Sequence, residues 1–124
     1  MKTIDYCYFD FLPNSEHLGN KEWIVYATEA DILNVALLGC MANEWRQANP
    51  ELASKGNMRD FASINELTIL SNLETHNAEL IKENKSKTER FEILLNIAKY
   101  QLHVLKYAEK IKDEQNKKNL LELG

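Results

Sequence analysis

The strongest constraint on the fold is a pair of long apolar stripes with helical spacing. Each begins at a Ser-x-x-Glu sequence, Ser63 with Glu66 and Ser86 with Glu89. This is the spacing of a capping box, in which serine and glutamate side chains satisfy backbone N–H groups at a helix start. The stripes comprise Ile64, Leu67, Leu70, Leu73, Asn77, Leu80 and Ile81, then Phe91, Leu94, Leu95, Ala98, Leu102, Leu105, Ala108 and Ile111. Because the first helix should end near residues 84–85, we predict an antiparallel helical hairpin over residues 63–112.

Residues 28–62 carry signals for short helices that should pack across the hairpin. Thr28 and Asp31 resemble a capping box, and Gly39 is a typical residue at which a helix stops. A second short helix should run from about Ala42 to Ala48. The following Asn49–Pro50 ends it and can start another turn, because proline is tolerated at the first helical position.

The two ends of the chain differ from its middle. An aromatic-rich run and a second short apolar run predict two strands of a β-ribbon over residues 1–27. Their members are Ile4, Tyr6, Cys7, Tyr8, Phe9 and Phe11, then Trp23, Ile24, Val25 and Tyr26. Beyond Lys110 the chain is polar and charged, and we predict an extended or frayed helix whose tail, residues 113–124, has leucines that either dock or await a partner. The sequence thus predicts one mostly α (α+β) domain over residues 1–124.

Composition favours a binding protein over an enzyme. The 124 residues carry a net charge of −4, with three histidines, two cysteines and four glycines. The histidines lie in separate segments, the cysteines match no zinc or redox spacing, and no phosphate-binding loop is present. We therefore expect no enzymatic activity, cofactor or metal site. The acidic balance argues against high-affinity nucleic-acid binding. Without an apolar signal or membrane segment, a cytoplasmic location is expected.

Three segments carry the candidate partner-binding residues. The first contains Trp45, Arg46 and Arg59, with Asp60 beside them; aromatic residues and arginine are enriched at interface hot spots. The alternative is a structural network of arginines and acids that locks the short helices to the hairpin. The second is the basic hairpin tip, for which the alternative is a solvated turn; its basic residues are Lys82, Lys85, Lys87 and Arg90. The third is the aromatic run at the N-terminus. The candidates are Tyr6, Tyr8, Phe9, Phe11, Trp45, Arg46, Arg59, Lys85 and Lys87.

Several separated motifs resemble the helical region that follows the DNA-binding domain in KilA-N proteins of phages and bacterial mobile elements. They are WIVYATEADILNVALLG (23–39), EWRQANP (44–50), GNMRDFA (56–62), LSNLE (70–74), NAELI (77–81) and ER (89–90). The resemblance covers roughly residues 22–105, about two-thirds of the chain. It does not include the KilA-N domain, so DNA binding is not implied.

The resemblance and the composition together predict a phage or mobile-element accessory protein that binds a host or phage protein stoichiometrically. One form of this function is an anti-defence inhibitor, similar to an anti-CRISPR protein, whose partner is a ribonucleoprotein effector; its acidic surface would compete for a nucleic-acid channel. The alternative is a DNA-associated regulatory module that dimerises with or titrates a KilA-N protein. The sequence leaves the partner's identity, the oligomeric state and the binding surface open.

Overall fold

The computed structural model describes Gly19 and residues 21–123, and the elements within residues 21–123 are all helical. In chain order they are α1 (Trp23–Tyr26), α2 (Glu29–Leu38), α3 (Ala42–Ala48), α4 (Pro50–Ala53), a 3₁₀ turn (Met58–Phe61), α5 (Ile64–Lys82) and α6 (Lys87–Leu123). The described chain is therefore mostly α, as predicted, with five short elements preceding two long helices.

The two long helices form the predicted antiparallel hairpin. Asn72 donates to Gln101 at 3.0 Å, and Asn65 near the start of α5 donates to Glu109 far along α6. The helix ends follow local chemistry. The Ser63 and Ser86 capping boxes are both formed, with reciprocal side-chain to backbone bonds. Between the helices, Asn84 adopts a left-handed conformation with φ of 62°, which asparagine tolerates better than most residues.

Helix α2 supplies the centre of the core. All of its residues from 32 to 38 are buried, so it is apolar on nearly every side. Both α5 and α6 pack against it, and the largest buried side chains are Trp45, Phe91, Ile24, Ile32, Leu37, Leu38, Ile69, Leu70, Leu73 and Leu94. Its start and end agree with the sequence: Thr28 and Asp31 form a capping box, and Gly39 at φ of 86° ends the helix. A left-handed φ of this kind strongly favours glycine.

The predicted second strand of the β-ribbon is wrong. Trp23–Tyr26 forms helix α1, in which Ile24 N–H bonds to the Lys21 carbonyl. The Trp23 ring meets the Phe91 ring edge-on, with centroids 5.1 Å apart, and Ile24 is buried. These contacts with the hairpin outweigh the strand preference of aromatic and β-branched residues, which depends strongly on context. The predicted first strand, with Tyr6, Tyr8, Phe9 and Phe11, lies outside the described residues.

The second difference concerns the ends of the two stripes. Ile64 is 82% exposed, and Leu67, Ile81 and Ile111 are also exposed. At about 100° per residue, Ile64 and Ile111 lie on the side of their helices away from the buried residues. Leu105 is half-buried at the edge of the core. Helix α6 continues without a break to Leu123, so residues 113–123 extend it as regular helix, in agreement with the helix predicted beyond Lys110. Leu120 and Leu121 on it are exposed.

Candidate binding surfaces

The hairpin tip is held by a buried arginine. Arg90 is almost fully buried and donates to both carboxylate oxygens of Glu29, to Asn77 Oδ1 at 2.9 Å and to the Lys85 carbonyl at 3.2 Å. Asn77 in turn donates to Glu29 at 2.8 Å. Hydrogen bonding from Arg90 is the main reason that the pKa of Glu29 lies below its usual value. This cluster joins α2, α5 and α6, and we call it the Arg90 cluster.

Of the two candidate lysines at the tip, Lys87 has a structural contact through its side chain. Lys87 donates to the Ala27 carbonyl at 2.9 Å, which ties the start of α6 to the link between α1 and α2. Lys85 is half-buried, and its carbonyl accepts from Arg90. The charges of Arg90 and Lys87 thus hold the fold together, whereas Lys85 stays a candidate contact.

Trp45 is a core residue rather than part of an exposed surface. It is 1% exposed, and its ring packs on Phe61 with centroids 5.5 Å apart. Its indole Nε1 is buried without a hydrogen-bond partner in the described structure. A side chain at this depth offers almost no surface to another protein, so its burial favours the structural alternative for Trp45.

Arg59 matches the structural alternative. Its Nε donates to Asn34 Oδ1 at 3.1 Å, and its Nη1 lies 3.3 Å from Glu74 Oε2. The 3₁₀ turn is thereby linked to α2 and α5. Asp60 acts locally, because its carboxylate accepts the Asn57 N–H at 2.7 Å. The sequence places Arg59 and Asp60 in one group with Trp45. In the structure, Arg59 and Asp60 make their own polar contacts, whereas the Trp45 ring packs on Phe61.

Replacing Arg59 with alanine should lower stability by about 1–3 kcal/mol, because the buried Asn34 loses a hydrogen-bond partner. Thermal unfolding followed by circular dichroism measures this loss. Arg46→Ala is the matched control, since it removes the same side chain from an exposed position. Equal melting temperatures for the two variants would contradict the structural assignment of Arg59.

Arg46 instead borders a concave surface between α1, the start of α2 and α3. This surface encloses about 420 Å³, and its lining includes Trp23, Tyr26, Asp31, Met41 and Arg46. We call it the Arg46 groove. Tyr26 is 89% exposed at its edge. Arg46 and Trp45 diverge because consecutive helical residues point about 100° apart.

The sequence missed this groove because Trp23 and Tyr26 were assigned to a strand. A four-residue helix is too short to show helical periodicity, so no local pattern distinguishes it from a short apolar strand. The sequence feature that precedes α1 is the polar pair Lys21–Glu22, whose carbonyls accept the first backbone hydrogen bonds of the helix, from Ile24 and Val25.

A second concavity of about 370 Å³ lies between α2 and α5. Its polar lining includes Glu29, Arg59, Glu74 and Asn77, which are bonded within the fold. Because these side chains already pair their charges and hydrogen-bonding groups with one another, this surface can recognise a charged ligand less well than the Arg46 groove.

Reactive chemistry is sparse among the described side chains. No three His, Cys, Asp or Glu residues there are grouped to hold a metal ion, and Cys40 is half-buried with its Sγ 3.9 Å from Met58 Sδ. No helix within residues 21–123 combines the length and apolarity needed to cross a membrane.

Comparisons with family models, curated proteins and solved structures find no match to the chain. The resemblance to the region after the KilA-N domain stays a prediction from its motifs. Several of those motif residues have structural roles here: Trp45 fills the core, Arg59 links two helices, and Arg90 organises the tip.

Proposed function

We propose that this protein is a non-enzymatic binding protein that acts by holding another protein in a stoichiometric complex. The observation that carries the proposal is the Arg46 groove, where an exposed tyrosine and an exposed arginine border one concavity that Trp23 also lines. Tryptophan, tyrosine and arginine are the residue types that contribute most often to interface hot spots.

The groove has a definite chemical preference. Trp23, Tyr26 and Met41 provide an apolar wall, and Arg46 provides an exposed cation. Asp31 also lines the groove, and its carboxylate is held in place by the Thr28 N–H, which donates to it at 3.0 Å in the capping box. A protein segment that combines an apolar side chain with a carboxylate would match this surface.

The proposed setting is a phage or mobile element, supported by the motif resemblance. Within it, we propose inhibition of a nucleic-acid-guided effector, for which the net charge of −4 provides electrostatic support. The aromatic run with Tyr6, Tyr8, Phe9 and Phe11 is retained as a second candidate contact. The competing proposal is a regulatory module that acts with a DNA-binding KilA-N protein.

The test is affinity capture of host and phage proteins with matched charge-reversal variants. Arg46→Glu should reduce capture of the specific partner at least about tenfold, the effect of losing 1.4 kcal/mol of binding energy. Lys99→Glu makes a similar change at an exposed position on α6 and should leave capture unchanged. Deleting residues 1–12 in the same assay tests the N-terminal candidate.

Two outcomes would reject these proposals in different ways. Equal capture by the two charge-reversal variants would remove the Arg46 groove from the interface. Submicromolar binding to duplex DNA at about 0.15 M salt, where screening acts over roughly 8 Å, would instead favour the regulatory module. Fluorescence anisotropy measures that affinity directly.

A further inference from the structure

Helix α6 has a second apolar face, on the side opposite the hairpin core. Its inner face contains the buried Leu95 and Leu102, followed by Glu109, which accepts from Asn65 of α5. The exposed apolar residues lie roughly half a turn away, given about 100° per residue. They are Tyr100, Val104, Tyr107, Ile111 and Leu121, with exposed fractions from 42% to 81%. A surface helix packed on one core needs only one apolar face, so this second face requires a separate explanation.

The second face has a regular seven-residue repeat. From Ile93 to Leu121 its members are separated alternately by four and three residues, and they form what we call the outer stripe: Ile93, Ile97, Tyr100, Val104, Tyr107, Ile111, Glu114, Lys118 and Leu121. The first two are half-buried, and Ile97 packs against the core of its own chain, whereas the last seven are exposed. The exposed part, from Tyr100 to Leu121, spans three heptads of continuous helix, about 32 Å at 1.5 Å per residue. A repeat sustained over this length is typical of a coiled coil.

We propose that a second copy of this chain covers the outer stripe, so that two α6 helices form a parallel coiled coil. The a positions in the exposed part, before its charged layers, are Val104 and Ile111, both β-branched. The apolar d positions are Tyr100, Tyr107 and Leu121. β-Branched residues at a with leucine at d favour a parallel two-stranded coil, a preference that the a positions and Leu121 meet. Because the stripe faces away from α5, pairing through it leaves each hairpin core intact.

The charged residues set the expected affinity of the dimer. Lys117 at a g position lies beside the partner's Glu122 at the e position five residues further on, an attractive pair in a parallel coil. A parallel coil also places Glu114 opposite the partner's Glu114 and Lys118 opposite the partner's Lys118, so these two layers of the seam oppose pairing. A single lysine at an a position sets the register of a coiled coil at some cost in stability. The dimer is therefore expected to be specific in register and moderate in affinity.

Light scattering coupled to size-exclusion chromatography tests the proposal on the full chain. The wild type should change from monomer to dimer as its concentration rises. Ile111→Asp should raise the dimer dissociation constant at least tenfold, because it places a carboxylate in an apolar layer. Asn116→Asp adds the same charge on the exposed opposite side of the coil and should leave the constant within about twofold. Far-UV circular dichroism establishes that both variants remain helical.

A gain-of-affinity variant makes the test independent of any loss of folding. Replacing both Glu114 and Lys118 with leucine should lower the dissociation constant at least tenfold, because two charged layers become apolar. Donor and acceptor dyes at the C-terminus should show efficient energy transfer in mixed dimers, since a parallel coil brings both ends together.

Each contrary result overturns a defined part of the proposal. A wild-type chain that stays monomeric at millimolar concentration excludes the second copy as the occupant. If such a chain dimerises only after residues 1–18 are deleted, the N-terminal segment of the same chain covers the stripe. Dimers that tolerate Ile111→Asp use another surface, and dimers without energy transfer are not parallel.

Discussion

Replacing Leu73 with alanine should lower the free energy of unfolding by about 2–5 kcal/mol. Leu73 is completely buried in α5 within the core that the two long helices share with α2, so the smaller side chain leaves a cavity as well as losing its own burial. For a chain of this size, the loss should shift the melting temperature by roughly 8–20 °C. Chemical denaturation and thermal melting measure the two quantities.

Ile64→Ala is the control for this change, because it shortens an apolar side chain that begins the same helix but is largely exposed. Its effect should stay within about 0.5–1 kcal/mol, as for other surface substitutions. Leu70→Ala and Leu94→Ala should resemble Leu73→Ala, whereas half-buried Leu105 should give a smaller loss. Equal effects for Leu73→Ala and Ile64→Ala would contradict the hairpin packing.

Replacing Arg90 with methionine should cost about 2–4 kcal/mol. The substitution preserves much of the side-chain volume but removes the donors to Glu29, Asn77 and the Lys85 carbonyl. Loss of one partner from a buried ion pair commonly costs about 3–5 kcal/mol. The expected loss here is smaller because the Glu29 side chain remains 45% exposed and water can solvate it. Lys82→Met, an exposed change at the end of α5, is the control.

The Arg90 cluster also gives stability a defined pH dependence. The pKa of Glu29 is lowered in the folded protein, chiefly by the hydrogen bonds from Arg90. A lowered folded-state pKa stabilises the protein above the unfolded pKa, and this contribution is lost as pH falls through the folded value. Wild-type stability should therefore fall more between about pH 5 and pH 3 than that of Arg90→Met. Parallel acid-dependence curves for the two proteins would exclude Glu29 as the responsible carboxylate.

Leu73→Ala and Arg90→Met test two different kinds of interaction in the fold. Leu73 reports on apolar packing within the hairpin core, whereas Arg90 reports on the polar junction through which the hairpin tip holds the start of α2. Arg46, by contrast, is exposed and should affect binding with little effect on stability. Comparing the three therefore separates residues that maintain the fold from those proposed to contact a partner.

The sequence by itself determined the helix boundaries that depend on local chemistry. Ser63, Ser86 and Thr28 start helices because their side chains cap backbone N–H groups only a few residues away. Gly39 ends α2 because a left-handed residue is needed there. The hairpin was predictable for a similar reason, since two long amphipathic helices with a short link must fold back to bury their stripes.

Tertiary structure decided the features that depend on contacts distant in sequence. Trp23–Tyr26 is helical where its side chains meet α6, although its residue types favour a strand. Trp45 is buried in the core, whereas the adjacent Arg46 borders the Arg46 groove. Arg90 looked like part of a basic tip until α2 and α5 placed Glu29 and Asn77 beside it. Local patterns specify where a helix begins and ends, whereas the packing of distant helices decides which of its side chains are buried, paired or available to a partner.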